Sequence, residues 1–345
     1  MFEVLYLIYL LKEKLQNLIQ YNYFAKSMLW KILSNDAFAS NIVYHYLYWR
    51  KIKKIIQERE KFPNAVIIEP TNICNANCKM CPRQDMTRNL GIMSFKLFRK
   101  IVDECAKNDV SRLELSFYGE PLIDPLLEEK IRYAKSNHIG KVDLFTNASL
   151  MNENRSRKLI FSGIDQIIVS FDGATKKTYE TIRQDLVFEN VIDNLLKFIE
   201  LKENLGLNEP EICVHMVLLK ENYREVDDFL SMCKELKVSG SIVGAHDWGG
   251  RIDNAQFSMT KAIWPCKSLW TDFVILWDGR VALCCNDFDG EQILGDVRKE
   301  SITSIWRSAK LKKYRMLHLD GKAGLIPFCA KCTMVNSMSM QWWIN

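Results

Sequence analysis

The stretch AVIIEPTNICNANCKMCP, residues 65–82, joins an apolar, β-branched run to three thiols, Cys74, Cys78 and Cys81. The run reads as a strand and the thiols as the loop that follows it. At a 4-then-3 spacing the three side chains can converge on one metal centre if a tight loop turns them inward. A structural zinc ion takes four ligands, whereas a four-iron cluster takes about one cysteine per iron. Three thiols therefore leave one iron open to a further ligand. Two plainer readings are a zinc site completed by a distant histidine, and three unrelated thiols in a loop.

Outward from this stretch, apolar strands alternate with amphipathic helical segments. RLELSFYGEP (112–121), KVDLFTNAS (141–149), QIIVSFDG (166–173), EICVHMVLLK (211–220) and SGSIVGAHDW (239–248) complete a set of six strands. Helical patterns such as SFKLFRKIVDECAKN (94–108) and YREVDDFLSMCKELK (223–237) separate them. Such alternation implies a parallel sheet with right-handed crossovers, and six units suit a partial barrel better than a closed eight-fold one. Working residues in such sheets lie at the C-terminal strand ends. CNANCKMCP, GEP, TNA and SFDG all follow strands directly. After Trp248 the alternation stops. FVILWDGRVALCC (273–285) reads as a hairpin turning at Asp278-Gly279, followed by one short helix around 301–317 and a closing PFCAKC (327–332). The expected divisions are a helical N-terminal extension (1–61), the α/β partial (β/α)6 TIM-like barrel (62–250) and a small C-terminal α+β domain (251–345).

Composition limits the function classes. Hydrophobic residues at 48% and charged residues at 26% of 345 describe a globular chain. Eleven cysteines without a signal-peptide pattern point to a reducing, cytoplasmic setting, where clustered thiols bind metal or do chemistry. The net charge of +5 is matched by residues 1–61 alone, with ten Lys or Arg against five Asp or Glu, a difference of five. That segment lacks Gly and Pro and reads as helices packed on the main domain. Its alternative is peripheral contact with an anionic membrane surface. No basic patch belongs to a recognisable nucleic-acid module, so a nucleic-acid partner is not expected.

The three thiols and the strand-end motifs together resemble the radical S-adenosylmethionine superfamily over about residues 64–248. The resemblance implies that Cys74, Cys78 and Cys81 hold a 4Fe–4S cluster whose open iron binds S-adenosylmethionine. Gly119-Glu120-Pro121 resembles the segment that holds the cofactor's amino group, through its backbone carbonyls rather than the Glu120 carboxylate. Thr146-Asn147-Ala148 resembles the segment lining the cofactor pocket. Ser170 and Arg183 resemble the pair reaching the ribose and the methionyl carboxylate, a role that suits a guanidinium.

Cys266, Cys284, Cys329 and Cys332 form a second set at intervals of 18, 45 and 3, with Gly279 in a Gly-x4-Cys284 pattern. Read alone, four such thiols fit a zinc ribbon. Beside the barrel they resemble the SPASM/Twitch extension that binds an auxiliary 4Fe–4S cluster, at a spacing similar to that of aminocyclitol dehydrogenases in the family. Cys285 would face away from its neighbour in a strand and is left out. Cys105, Cys213 and Cys233 read as small buried residues, and His215 as a core or pocket-wall residue. Trp264, Trp277, Trp306, Trp342 and Trp343 are expected around the second cluster. The resemblance implies cleavage of S-adenosylmethionine to a 5′-deoxyadenosyl radical, with a flavodoxin or ferredoxin as electron donor. The expected substrate is a secondary alcohol of a sugar or cyclitol, oxidised with the auxiliary cluster as electron acceptor. Radical modification of a peptide, a protein or a lipid-linked substrate is the alternative. His246 and Asp247, ending the sixth strand, are the candidates for the catalytic base, against a plainer role in capping or bridging.

Overall fold

A computed structural model of the chain describes residues 42–245, 248 and 265–332. Six parallel strands stand in sequence order: β1 (Ala65–Ile68), β2 (Arg112–Leu115), β3 (Lys141–Thr146), β4 (Gln166–Ser170), β5 (Glu211–Leu218) and β6 (Ser239–Gly244). The apolar residues of β1 to β4 are mostly buried, as expected of strands covered on both faces, whereas those of β6 are only partly buried. The helices between them are α2 (Phe95–Ala106), α3 (Leu127–Ser136), α4 (Glu153–Ile160), α5 (Lys176–Ile182), α6 (Phe188–Asn204) and α7 (Val226–Glu235). Ahead of β1 lies α1 (Ile42–Glu58). Ser94 starts α2 by accepting the Leu97 N–H, and Phe98, Ile101, Val102 and Cys105 turn one face of that helix into the core. The result is the expected partial barrel. The short α5, which the alternation did not announce, is capped by Thr175 and ends beside Arg183.

The hairpin expected beyond the barrel is present, but its first strand extends the same sheet. β7 (Asp272–Ile275) pairs in parallel with β1, β8 (Arg280–Ala282) returns antiparallel, and β9 (Gly295–Asp296) closes the order β6-β5-β4-β3-β2-β1-β7-β8-β9. Gly279, at φ +91°, makes the turn. The short α8 (Ser268–Thr271) leads into β7. The single helix expected around 301–317 is two, α9 (Ile302–Trp306) and α10 (Ala309–Leu319). Ser308 breaks the run by capping α10 through the Leu311 N–H.

A buried ion pair locks the hairpin to the first cysteine loop. Arg88 donates twice to Glu69 at the end of β1, at 2.8 and 2.7 Å, and once to the Phe288 carbonyl at 2.7 Å. Glu69 also accepts the Trp277 N–H at 3.1 Å. The N-terminal helix α1 packs onto this assembly: Ile52 is fully buried, Lys53 and Lys54 are exposed, and Trp306 Nε1 donates to the Arg59 carbonyl at 2.9 Å. Among the described residues no helix is long and apolar enough to cross a membrane.

Candidate metal centres

The first cysteine loop is docked chiefly by main-chain bonds, with its thiols contributing little. The Asn77 and Lys79 N–H groups donate to the Gln184 and Ile182 carbonyls at 3.0 and 2.8 Å, docking the loop on the end of α5. Arg83 spans it by donating to the Ala76 carbonyl at 3.0 Å and to Asn77 Oδ1 at 3.1 Å. Cys78 is buried, while Cys74 and Cys81 are partly buried. Burial pushes the Cys74 thiol up to about 11 and Cys81 up to about 12. Thiolates here need a cationic centre, which is the chemistry an iron–sulfur cluster provides. Among the described residues no group of three His, Cys, Asp or Glu is placed to hold a single metal ion. The fit therefore rests on donor chemistry, and three thiols on one loop fit a cluster with one open iron.

The motif after β2 packs against this loop at backbone distance. A Cβ on Gly119 would stand 2.1 Å from the Thr71 carbonyl oxygen and 2.9 Å from that of Ile73. Glu120 N–H donates to the same Ile73 carbonyl at 2.9 Å, and Pro121 opens a short 3-10 turn. The Glu120 carboxylate is folded inward, accepting from Leu122 N–H (3.0 Å), Thr146 Oγ1 (2.6 Å) and Asn147 N–H (2.7 Å). Burial raises its pKa against the pull of these donors. The carboxylate thus ties the end of β2 to the end of β3. Thr146 also accepts the Ala148 N–H, and Ala148 is held at a left-handed φ of +58°. Asn147 Nδ2 donates to Asn75 Oδ1 at 3.1 Å, so the β3 motif reaches the residue after Cys74. Because Gly119 has no room for a methyl group, Gly119→Ala is expected to weaken S-adenosylmethionine binding by about tenfold or more, ~1.4 kcal/mol. Anaerobic calorimetric titration checks this, and unchanged affinity would remove the motif from the cofactor site.

Ser170 ends β4 half-buried, in register with His215 of β5. Arg183 is directed at Asp172 and the cysteine loop. Its Nε donates to Asp172 Oδ2 at 2.5 Å and its Nη1 to Cys78 Sγ at 3.5 Å. Burial draws the Arg183 pKa down, but Asp172, Cys78 and Tyr179 outweigh it and hold the guanidinium charged. Asp172, the partner of Arg183, was passed over by the motif reading. It is fully buried, accepts the Val217 N–H at 2.6 Å, and its carbonyl accepts from Asn222 Nδ2 at 2.9 Å. An acid directly after a strand end was the available signal. His215 sits edge-on to Phe145 at 6.1 Å and burial lowers its pKa, as suits a pocket wall. His246 and Asp247 lie outside the described residues.

Cys266, Cys284, Cys329 and Cys332 line one cavity, together with Ser268, Asn286 and His318. Cys285 lines it too, which corrects the expectation that it faces away. The chain leaves β8 at Ala282 and turns through 283–286, so strand alternation no longer applies to the Cys284-Cys285 pair. Burial raises the pKa of Cys266, Cys284, Cys285 and Cys329 alike. Four thiols give a four-iron cluster its full set, and the fifth stands beside them. Trp277 and Trp306 do not line this cavity. Trp277 covers Gly91 and donates to the Asn89 carbonyl, while Trp306 packs on Phe273 and Arg315. Trp264, Trp342 and Trp343 lie outside the described residues. The aromatic bridge is instead Tyr118, whose hydroxyl donates to the Cys285 carbonyl at 2.9 Å. Its ring meets Phe288 and Trp248, and Trp248 Nε1 donates to the Met80 carbonyl in the first loop at 2.7 Å.

Comparison with known proteins agrees with both centres. The radical SAM superfamily pattern matches residues 68–233, and an iron–sulfur cluster-binding SPASM domain matches 266–333. The chain is 24% identical over 311 residues to the tungsten-containing aldehyde ferredoxin oxidoreductase cofactor-modifying protein of Pyrococcus furiosus, covering 77% of this chain and 86% of that protein. It is 23% identical over 287 residues to the S-adenosyl-L-methionine-dependent 2-deoxy-scyllo-inosamine dehydrogenase of Niallia circulans, covering 82% and 96% respectively. The crystal structure of Streptococcus suis SuiB bound to precursor peptide SuiA shares the fold at a TM-score of 0.62 and 15% identity, over 84% of this chain and 74% of that one.

Proposed function

The chain belongs to the radical SAM superfamily and carries a C-terminal SPASM iron–sulfur domain, and from that premise we propose that it oxidises a secondary alcohol of a sugar- or cyclitol-like substrate. It is a radical SAM oxidoreductase using S-adenosylmethionine, a 4Fe–4S cluster and an auxiliary cluster. When bound, these groups supply a 5′-deoxyadenosyl radical for hydrogen abstraction and an acceptor for one electron. In our reading Cys74, Cys78 and Cys81 hold the first cluster. The backbone at Gly119-Glu120-Pro121, the Thr146-Asn147 turn, Ser170 and Arg183 shape the S-adenosylmethionine site beside it. Cys266, Cys284, Cys329 and Cys332 hold the second.

The observation that carries the proposal is the convergence of those four thiols on one cavity. A cluster with every iron ligated by protein offers no position to a substrate, and its remaining use is electron transfer. A carbinol that gives up a hydrogen atom, a proton and an electron becomes a ketone, which matches one radical and one acceptor. Similarity to the Niallia circulans dehydrogenase over nearly its whole length supports the same substrate class. Peptide modification is the second reading, favoured by the fold shared with peptide-bound SuiB. A flavodoxin- or ferredoxin-type donor is the proposed source of the reducing electron.

The test uses aminocyclitols and sugars deuterated at the carbinol carbon, with peptides in parallel, on reduced enzyme. Deuterium should enter 5′-deoxyadenosine from a cyclitol or sugar, with one ketone formed per cleavage. Cys332→Ala should still cleave S-adenosylmethionine but lose ketone formation. Deuterium arriving from peptides alone would replace the proposal with the second reading. A Cys332→Ala enzyme that makes ketone at the original rate would remove the acceptor role.

A further inference from the structure

The wall of the second cysteine cavity includes an imidazole that the reading above leaves without a task. His318, in the last turn of α10, is 1% exposed and lines the cavity with Cys266, Cys284, Cys329 and Cys332. Its Nδ1 accepts the backbone N–H of Cys266 at 3.1 Å. A nitrogen that accepts keeps its lone pair, so the neutral ring carries its proton on Nε2. That Nε2 is buried and has no hydrogen-bond partner among the described residues. A buried donor left unmade costs about 1–3 kcal/mol, and folded proteins leave few of them. The acceptors that this cavity offers in quantity are sulfurs. Asn286 already uses one, with Nδ2 donating to Cys332 Sγ at 3.7 Å.

We propose that His318 donates its Nε2–H to a sulfur of the cluster held by Cys266, Cys284, Cys329 and Cys332, and thereby raises that cluster's reduction potential. This rests on the reading that the four cysteines hold an iron–sulfur cluster. His318 is a positioning residue and not a ligand. Ligation through Nε2 needs a lone pair there, and the N–H of Cys266 has fixed the lone pair on Nδ1. Reduction adds one negative charge to the cluster, so an N–H donor in a buried cavity stabilises the reduced form more than the oxidised one. The same contact links a proposed ligand's own backbone, at Cys266, to the donor. The consequence is a better electron acceptor, set by one side chain outside the ligand set.

The test is an anaerobic redox titration, followed by electron paramagnetic resonance, of the full chain loaded with iron and sulfide. S-adenosylmethionine is added to shift the signal of the cluster with the open iron. His318→Leu should keep its iron but lower the second cluster's potential. The reduced-to-oxidised ratio at fixed potential should fall about tenfold, which is about 59 mV for a one-electron couple. His318→Gln, which keeps an N–H donor, should recover most of that change. In the unmodified enzyme, 15N-labelled histidine should give a weak nitrogen coupling to the reduced second cluster in pulsed spectra. An unchanged potential in fully loaded His318→Leu overturns the inference. So does a strong coupling typical of a ligand, or no coupling at all, and these readings hold even if His318→Leu does not fold. Zinc in place of the second cluster in the unmodified chain would overturn the underlying cluster reading as well, and metal analysis detects that outcome before any potential is measured.

Discussion

The combined Cys74→Ala, Cys78→Ala and Cys81→Ala protein is expected to hold about four iron atoms where the unmodified chain holds about eight, and to form no 5′-deoxyadenosine after reduction. The loss should be specific, because apart from the Arg183 contact with Cys78 the bonds that hold the loop do not involve its thiols. Asn77 and Lys79 dock it through their N–H groups, Arg83 spans it, and Lys79 pairs with Glu221 at 2.5 Å. Only Cys78 is packed as a core residue, and alanine fits the space it leaves with a small cavity. Circular dichroism and the second cluster's resonance signal should therefore stay as they were. Iron and sulfide analysis with zinc analysis, alongside the cleavage assay, decides the matter. Retention of all eight iron would move the first cluster to other ligands. Four iron and one zinc in the unmodified chain would make the second cysteine set structural, and the proposed alcohol oxidation would lose its electron acceptor.

The barrel was legible because its signals are local. Short apolar, β-branched runs, period-3.6 helices and strand-end motifs are all read within a dozen residues, and β1 to β6 fall where those patterns put them. What escaped depends on contacts across long separations. β7 pairs with β1 some two hundred residues away, and nothing in DFVI announces a parallel partner. The Cys285 expectation failed for a related reason. Strand alternation was extended past Ala282, where the chain had already turned. Trp306 was expected around the second cluster, yet its indole bonds to the Arg59 carbonyl just past α1. One miss was avoidable. Ser308 ahead of Ala309-Lys310-Leu311 is an N-cap signal that would have split the helix into α9 and α10.

Arg183→Met is expected to lower folding stability by about 3–5 kcal/mol, the usual consequence of leaving one member of a buried ion pair alone. Asp172 is fully buried, and apart from Arg183 its carboxylate has the Val217 N–H as donor. Removing the guanidinium leaves that charge in a site it cannot leave without breaking the end of β5. Arg183→Met combined with Asp172→Asn should recover much of the loss, because a neutral amide oxygen still accepts the Val217 N–H. Urea midpoints at constant slope, read as a double-mutant cycle, measure the coupling. Equal destabilisation in the single and double variants would mean that the pair is not coupled. The double variant also separates two roles for Arg183. The same guanidinium contacts Cys78 at 3.5 Å, so a part in holding S-adenosylmethionine would survive no neutral replacement. Stability should return in the double variant while cleavage of S-adenosylmethionine does not. Return of both would leave Arg183 as a brace for the cysteine loop alone.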